Sequence, residues 1–415
     1  MAVIYQNSAT AITQGMVGMK RLICISLALL AIGMQLYAVN EDVVTWEQIL
    51  KDVNTDEQRI AIILKIMEFK DKDFTPILVS TLENIANKKS DTVSATAAYN
   101  QSILARLIIQ ELGNLKSGDS AELIYRIYDE STDAILKSEA ARSLGSMRAT
   151  QYAERLAADL SSINLAPAAS SSKNQEILAL ALVQSLTLMR ASIGYEPVFL
   201  AAQGWYSSFS RVKDTAKASM LSMLDDPSES LISILIKNPS LEIKLTALDT
   251  LMSSKASSAK KIDGASKGLK IAIERASTNV TDNALTSKLR VSAMVALIGL
   301  EDHSADNVPL YTEVIKMDKK NDASLDETLK AYVSLGVNGT DDAAKYLVST
   351  MTEYNSKEKS KANTVRDKSL IRQIIASMVL TKNPLVKNVL SQSQFVDYDA
   401  SILNVLKDAN AKFSQ

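Results

Sequence analysis

The chain has 415 residues, of which 47% are hydrophobic, 22% charged and only 5% aromatic, with 46 basic against 47 acidic side chains. That near-neutral balance gives no overall field to hold nucleic acid, and 13 Gly and 7 Pro are few for a turn-rich sandwich or barrel of this length. One cysteine and one histidine exclude a disulfide framework, a Cys-based zinc site and a paired-His metal site.

The first element is "MKRLICISLALLAIGMQLYA", from Met19 to Ala38. Lys20 and Arg21 form a positive start, and Leu22 to Leu36 form an apolar run shorter than the roughly 20 residues that cross a bilayer. Ala38 supplies a small residue at a cleavage position, so the segment reads as a secretory signal peptide. Leu36 is bulky for such a site, which leaves an uncleaved membrane anchor as the alternative. Residues 1–18 read as an upstream extension. Cleavage after Ala38 removes Cys24 together with Lys20 and Arg21, taking the net charge from −1 by two cations to −3.

After Trp46 the chain repeats a pair of amphipathic helices. "ILKSEAARSLGSM" places Ile135, Ala140, Ala141 and Leu144 on one helical face, and Gly145 is read as its C-terminal stop. "ATQYAERLAADL" follows, with Ala153, Leu156, Ala157 and Leu160 on its apolar face. First-helix anchors recur at Ile66, Leu112-Gly113, Leu144-Gly145, Leu188, Leu224, Leu251, Ile298-Gly299, Leu335-Gly336 and Leu380, about 39 residues apart on average. Caps for second helices are expected at Asp119 or Ser120, at Asp226-Pro227-Ser228 and at Asp341-Asp342. A Ser/Ala-rich loop is expected at 161–175 and a polar, basic segment at 355–369.

The segment "KSEAARSLGSM" resembles the first-helix signature of bacterial HEAT-like repeats, with closer copies around residues 293 and 331. The resemblance covers about residues 45–410 and implies an all-α fold. It implies an α-solenoid, a superhelix of about nine stacked antiparallel helix pairs of HEAT/armadillo-like type.

Little in the sequence supports catalysis. His303 lies in "GLEDHSADNVP" beside Glu301, Asp302 and Asp306, and reads as a polar turn that caps the following helix. No G-x-G-x-x-G follows a strand pattern and no G-x-x-x-x-G-K-[ST] occurs. "KKIDGASKGLK", residues 260–270, reads as the exposed start of a second helix, with an anion cradle as the alternative. No enzyme activity, cofactor or metal is expected.

Tyr125, Tyr152, Tyr311 and Tyr346 fall about 8 to 13 residues after their anchors, beside the apolar stripes of second helices. Arg126 and Arg155 share that arc, and "GWYSSF" adds Trp205 and Tyr206. Aromatics with arginine are the side chains that most often anchor interfaces. These eight residues are therefore read as a stepped ladder for a protein partner, against the reading that each Tyr packs between neighbouring repeats. With no catalytic motif and surface as what remains, the expected function is a non-enzymatic scaffold or adaptor, and the leader implies an exported, periplasmic location with a partner in the bacterial cell envelope. A membrane is a partner only if the leader stays attached, and nucleic acid is not a partner. The alternatives are a bilin-lyase-like cofactor chaperone and a cytosolic nucleic-acid-binding repeat protein.

Overall fold

Segments rich in Ala, Leu, Ile and Lys, with hydrophobic positions three and four apart, make helices, and short polar turns end them. The computed structural model describes residues 41–87, 94–166, 173–275, 279–319 and 323–414, which are all-helical with no strand among them. The expected leader at 19–38 with Cys24, the extension 1–18, and 167–172 of the expected loop lie outside the described residues. No helix among the described residues is long and apolar enough to cross a membrane. Packing divides the chain into two compact units after Tyr152.

The first unit holds α1 (Glu41–Asp52), α2 (Asp56–Phe69), α3 (Thr75–Asn87), α4 (Ala95–Asn114), α5 (Ala121–Glu130) and α6 (Ala134–Met147). Here α2, α4 and α6 pack in sequence, α3 lies on α4 and α5 on α6. The core runs through Ile63, Ile66, Leu78, Leu82, Ile108, Leu112, Ile124 and Leu144.

The second unit begins with α7 (Ala153–Leu165), α8 (Lys173–Met189), α9 (Tyr195–Gln203), α10 (Val212–Ser222) and α11 (Ser228–Lys237). It continues with α12 (Leu241–Ser253), α13 (Ser258–Glu274), α14 (Val280–Gly299), α15 (Val308–Lys319) and α16 (Leu325–Asn338). It ends with α17 (Asp341–Lys359), α18 (Val365–Thr381), α19 (Lys387–Ser393) and α20 (Ala400–Ser414). Odd-numbered helices α7 to α19 contact one another in order, and α12, α14, α16, α18 and α20 form a facing row. Each helix thus buries one stripe against its pair mate and another against the next pair.

Side-chain caps start many of these helices. Thr55, Ser94, Asp133, Ser240, Ser257 and Asn279 accept from first-turn amides, and Ser324/Glu327 and Thr364/Asp367 form reciprocal capping boxes. The expected caps differ in detail. Asp226 accepts the Ser228 amide at 2.9 Å, but Thr340, not Asp341 or Asp342, caps α17. The Ser120 hydroxyl turns back to donate to the Ser117 carbonyl.

Helix α14 ends at Gly299 as expected, but the other glycine stops are corrected. Gly113, Gly145 and Gly336 lie inside their helices, and the left-handed residue comes three positions later, at Lys116, Arg148 and Gly339. Lys70, Arg190, Glu301 and Lys382 take the same conformation after α2, α8, α14 and α18. At two of these sites the glycine serves close approach. A Cβ on Gly113 would lie 2.6 Å from the Ser143 hydroxyl of α6, and one on Gly336 would lie 2.8 Å from the Ser377 carbonyl of α18. The Ser143 hydroxyl completes that contact by donating to the Ile109 carbonyl at 2.8 Å.

Candidate interaction surface and the His303 turn

In the first unit, Ala121, Ile124, Ile127 and Tyr128 form the buried stripe of α5. Tyr125 falls one position off that stripe, which rotates it to the edge and leaves it half-buried. Its ring stacks on Tyr152 at 4.2 Å between centroids and 9° between planes, and Tyr128 lies 6.5 Å from it. Tyr152 is itself half-buried, in the single 3-10 turn Thr150–Tyr152 instead of on a second helix. Neither of the two phenol oxygens is hydrogen-bonded among the described residues. Arg126 is exposed and donates at 3.4 Å to the Asn87 side chain.

In the second unit, exposed Arg155 pairs with Asp159 at 3.5 Å. Trp205 and Tyr206 lie in the loop after α9, not on a helix, with ring centroids 4.4 Å apart. The Trp205 indole donates to the Ile163 carbonyl at 3.0 Å, and the Tyr206 hydroxyl donates to Asn164 Oδ1 at 2.6 Å. Burial pushes the Tyr206 phenol far above its ordinary value, and Glu176 adds to the shift. Tyr206 therefore anchors a loop and presents no ring to a partner. Tyr311 is likewise buried, because Val308, Val314 and Ile315 place it on the inward stripe of α15. Tyr346, on α17, is half-buried, and burial with Glu353 and Glu313 raises its phenol.

The expected ladder is thus corrected at Tyr206 and Tyr311. The structure brings Tyr125 and Tyr152 together in one unit, and Trp205 and Tyr206 in the other.

His303 sits in a turn that is itself a hydrogen-bond network. Buried Asp302 accepts from the Tyr311 hydroxyl and the Asn307 amide, each at 2.9 Å, and from the Ser304 amide at 3.1 Å. Asn338, from the end of α16, donates to the Asp302 and Ser304 carbonyls at 3.2 and 2.8 Å. His303 Nδ1 lies 3.1 Å from the Asn338 carbonyl. A carbonyl only accepts, so Nδ1 is the donor in this contact. Asn383 repeats the arrangement one pair later, donating to the Gly339 carbonyl and to Asp341. An open cleft of about 600 Å³ lies over these turns, lined by Ile298, Glu301, His303, Thr340, Leu380 and Lys382 among others. No group of three metal-ligating side chains occurs among the described residues.

The anion-cradle alternative for 260–270 fails on geometry. Gly264 and Gly268 face Leu251, Leu235 and Leu248, so they pack helices together. Lys260, Lys267 and Lys270 pair with Glu229, Asp263 and Glu274, and Lys261 donates to the Met252 carbonyl.

Two buried cations, Arg290 and Lys244, belong to none of the sequence motifs. Arg290 pairs with Glu327 at 2.6 Å and also donates to the Ala272 carbonyl, tying α13, α14 and α16 together. Glu327 belongs to the capping box of α16, and the spacing Ser324-x-x-Glu327 was the available signal for it. Lys244 donates to the Leu235 and Ile236 carbonyls at the end of α11, and desolvation lowers its pKa. Comparison with protein-family models and with curated proteins gave no match.

Proposed function

We propose that the chain is an exported, HEAT-like α-solenoid that works as a non-enzymatic scaffold, binding a protein partner of the cell envelope. The observation that carries this reading is the Tyr125–Tyr152 stack with exposed Arg126 beside it. Two half-buried phenols held rigid by each other, with unbonded hydroxyls, lose little entropy on binding and offer both apolar area and hydrogen bonds. The alternation of helix contacts within each unit supports the repeat architecture, since each pair buries its second face only against the next. The apolar run Leu22–Leu36 behind Lys20 and Arg21 supports export.

The cofactor-chaperone alternative has less support. The cleft at His303 is open and carries Glu301, Thr340 and Lys382 on its lining, where a bilin-sized cofactor would need enclosing apolar walls. Pairing of many Lys and Arg side chains with nearby carboxylates leaves less free cationic surface for a nucleic-acid backbone.

The test is photo-crosslinking in intact cells from a benzophenone amino acid at position 126. A discrete protein adduct is expected, lost on the double substitution Tyr125→Ala, Tyr152→Ala with helicity unchanged, and its purified chain should begin at Val39. An adduct that survives the double substitution removes the proposed surface; a chain beginning at Met1 removes export.

A further inference from the structure

The sequence "VNGT" places Asn338 directly before Gly339, the dipeptide whose backbone offers least steric resistance to attack by its own amide on the asparagine side chain. In that reaction the Gly339 nitrogen bonds to Asn338 Cγ, the Cγ–Nδ2 bond breaks, and the proton lost from the Gly339 nitrogen, relayed through solvent, lets Nδ2 leave as ammonia. Water then opens the resulting succinimide to aspartate or to isoaspartate, whose main chain runs through the side chain. The net change is one amide and one water converted to a carboxylate and ammonium.

Every group needed for this step is occupied in the folded turn. Asn338 is the last residue of α16 and is buried. Its Nδ2 donates to the Asp302 and Ser304 carbonyls, its Oδ1 accepts from the Thr340 hydroxyl at 2.7 Å, and its carbonyl meets His303 Nδ1. The Gly339 N–H, which would have to become the nucleophile, donates to the Leu335 carbonyl at 3.2 Å. The Gly339 carbonyl is held by Asn383 at 3.3 Å, and its φ of +67° fixes the peptide in the left-handed region. Attack requires the side-chain amide and the backbone N–H to release their partners together, so the turn must open first.

Conversion would also be felt afterwards. A carboxylate at 338 has no proton for the Asp302 and Ser304 carbonyls, and through Ser304 it would stand two hydrogen bonds away from the buried Asp302 carboxylate. Isoaspartate adds a methylene to the main chain at the helix end. Either product opposes reclosure of the turn that links the end of α14 to the end of α16.

We propose that Asn338–Gly339 is a latent deamidation site, kept silent by the folded turn, whose conversion after opening prevents that turn from closing again.

The test follows the peptide spanning residues 338 and 339 by mass spectrometry during incubation at mildly alkaline pH. Conversion in the native protein should be at least about tenfold slower than in urea, as expected when reaction needs a local opening. Equal rates in the two states overturn the protection. Asn383→Ala, which frees the Gly339 carbonyl, should speed conversion in a chain still helical by circular dichroism; an unchanged rate overturns the assigned lock. Asn338→Asp should lower the thermal midpoint, and an unchanged midpoint overturns the block on reclosure. If Asn338→Asp does not fold, the first two measurements still decide the protection.

Discussion

At the residue scale, tyrosine is the informative side chain, because the same residue type sits in opposite environments. The Tyr311 hydroxyl completes the shell of buried Asp302, whereas the Tyr195 hydroxyl is buried with no hydrogen-bond partner among the described residues. Tyr311→Phe is therefore expected to cost about 1–3 kcal/mol in urea unfolding, because a buried carboxylate loses a donor, while Tyr195→Phe should be neutral or stabilising. Burial raises the phenols of Tyr195, to about 12, and of Tyr206, Tyr311, Tyr332, Tyr354 and Tyr398. A folded value above the unfolded value of about 10 means this stabilisation is complete below pH 10 and is lost as pH rises through the folded values. Tyrosinate absorbance at 295 nm should accordingly show a late component that rises together with loss of helicity. The sequence showed which tyrosines lie near an apolar stripe, but one step of 100° separates stripe from edge. The pattern for Tyr125 and Tyr311 was the same, and only packing separated them.

At the element scale, helix identity was the most legible feature, and helix ends the least. Anchors such as Leu112, Leu144 and Leu335 fall inside α4, α6 and α16, yet the glycine after each is interior. The motif was visible, but for Gly113 and Gly336 its reason was a neighbouring helix at long sequence distance, which no local rule reads. Two substitutions separate close-approach glycine from permissive glycine. Gly336→Ala should destabilise by about 1–3 kcal/mol, since its Cβ would meet backbone of α18. Gly268→Ala, whose Cβ would meet only Leu235 and Leu248 at ordinary distance, should stabilise α13 by up to about 1 kcal/mol. Thermal midpoints of the two variants, moving in opposite directions, are the check.

At the scale of the whole molecule, contacts within each unit run between near neighbours in the chain. A local injury should then stay local. Glu327→Ala leaves Arg290 buried and unpaired, a loss of about 3–5 kcal/mol for pairs of this kind. Hydrogen exchange should accelerate across α13 to α16 and leave α2 and α4, in the other unit, unchanged; uniform acceleration would contradict it. The division after Tyr152 was not legible, because helical periodicity continues through it without a change in composition.

Among the described residues, eight positions other than glycine adopt left-handed backbone, and Glu301 is the only one of them that is not Lys or Arg. An L side chain there costs about 1–2 kcal/mol, and a cation near a helix C-terminus returns about 0.3–1 kcal/mol of it. Lys70, Lys116, Arg148, Arg190 and Lys382 are thus points where the chain carries charge in preference to its most stable backbone. They lie outside the core, so they mark where thermostability can be engineered without repacking a single helix.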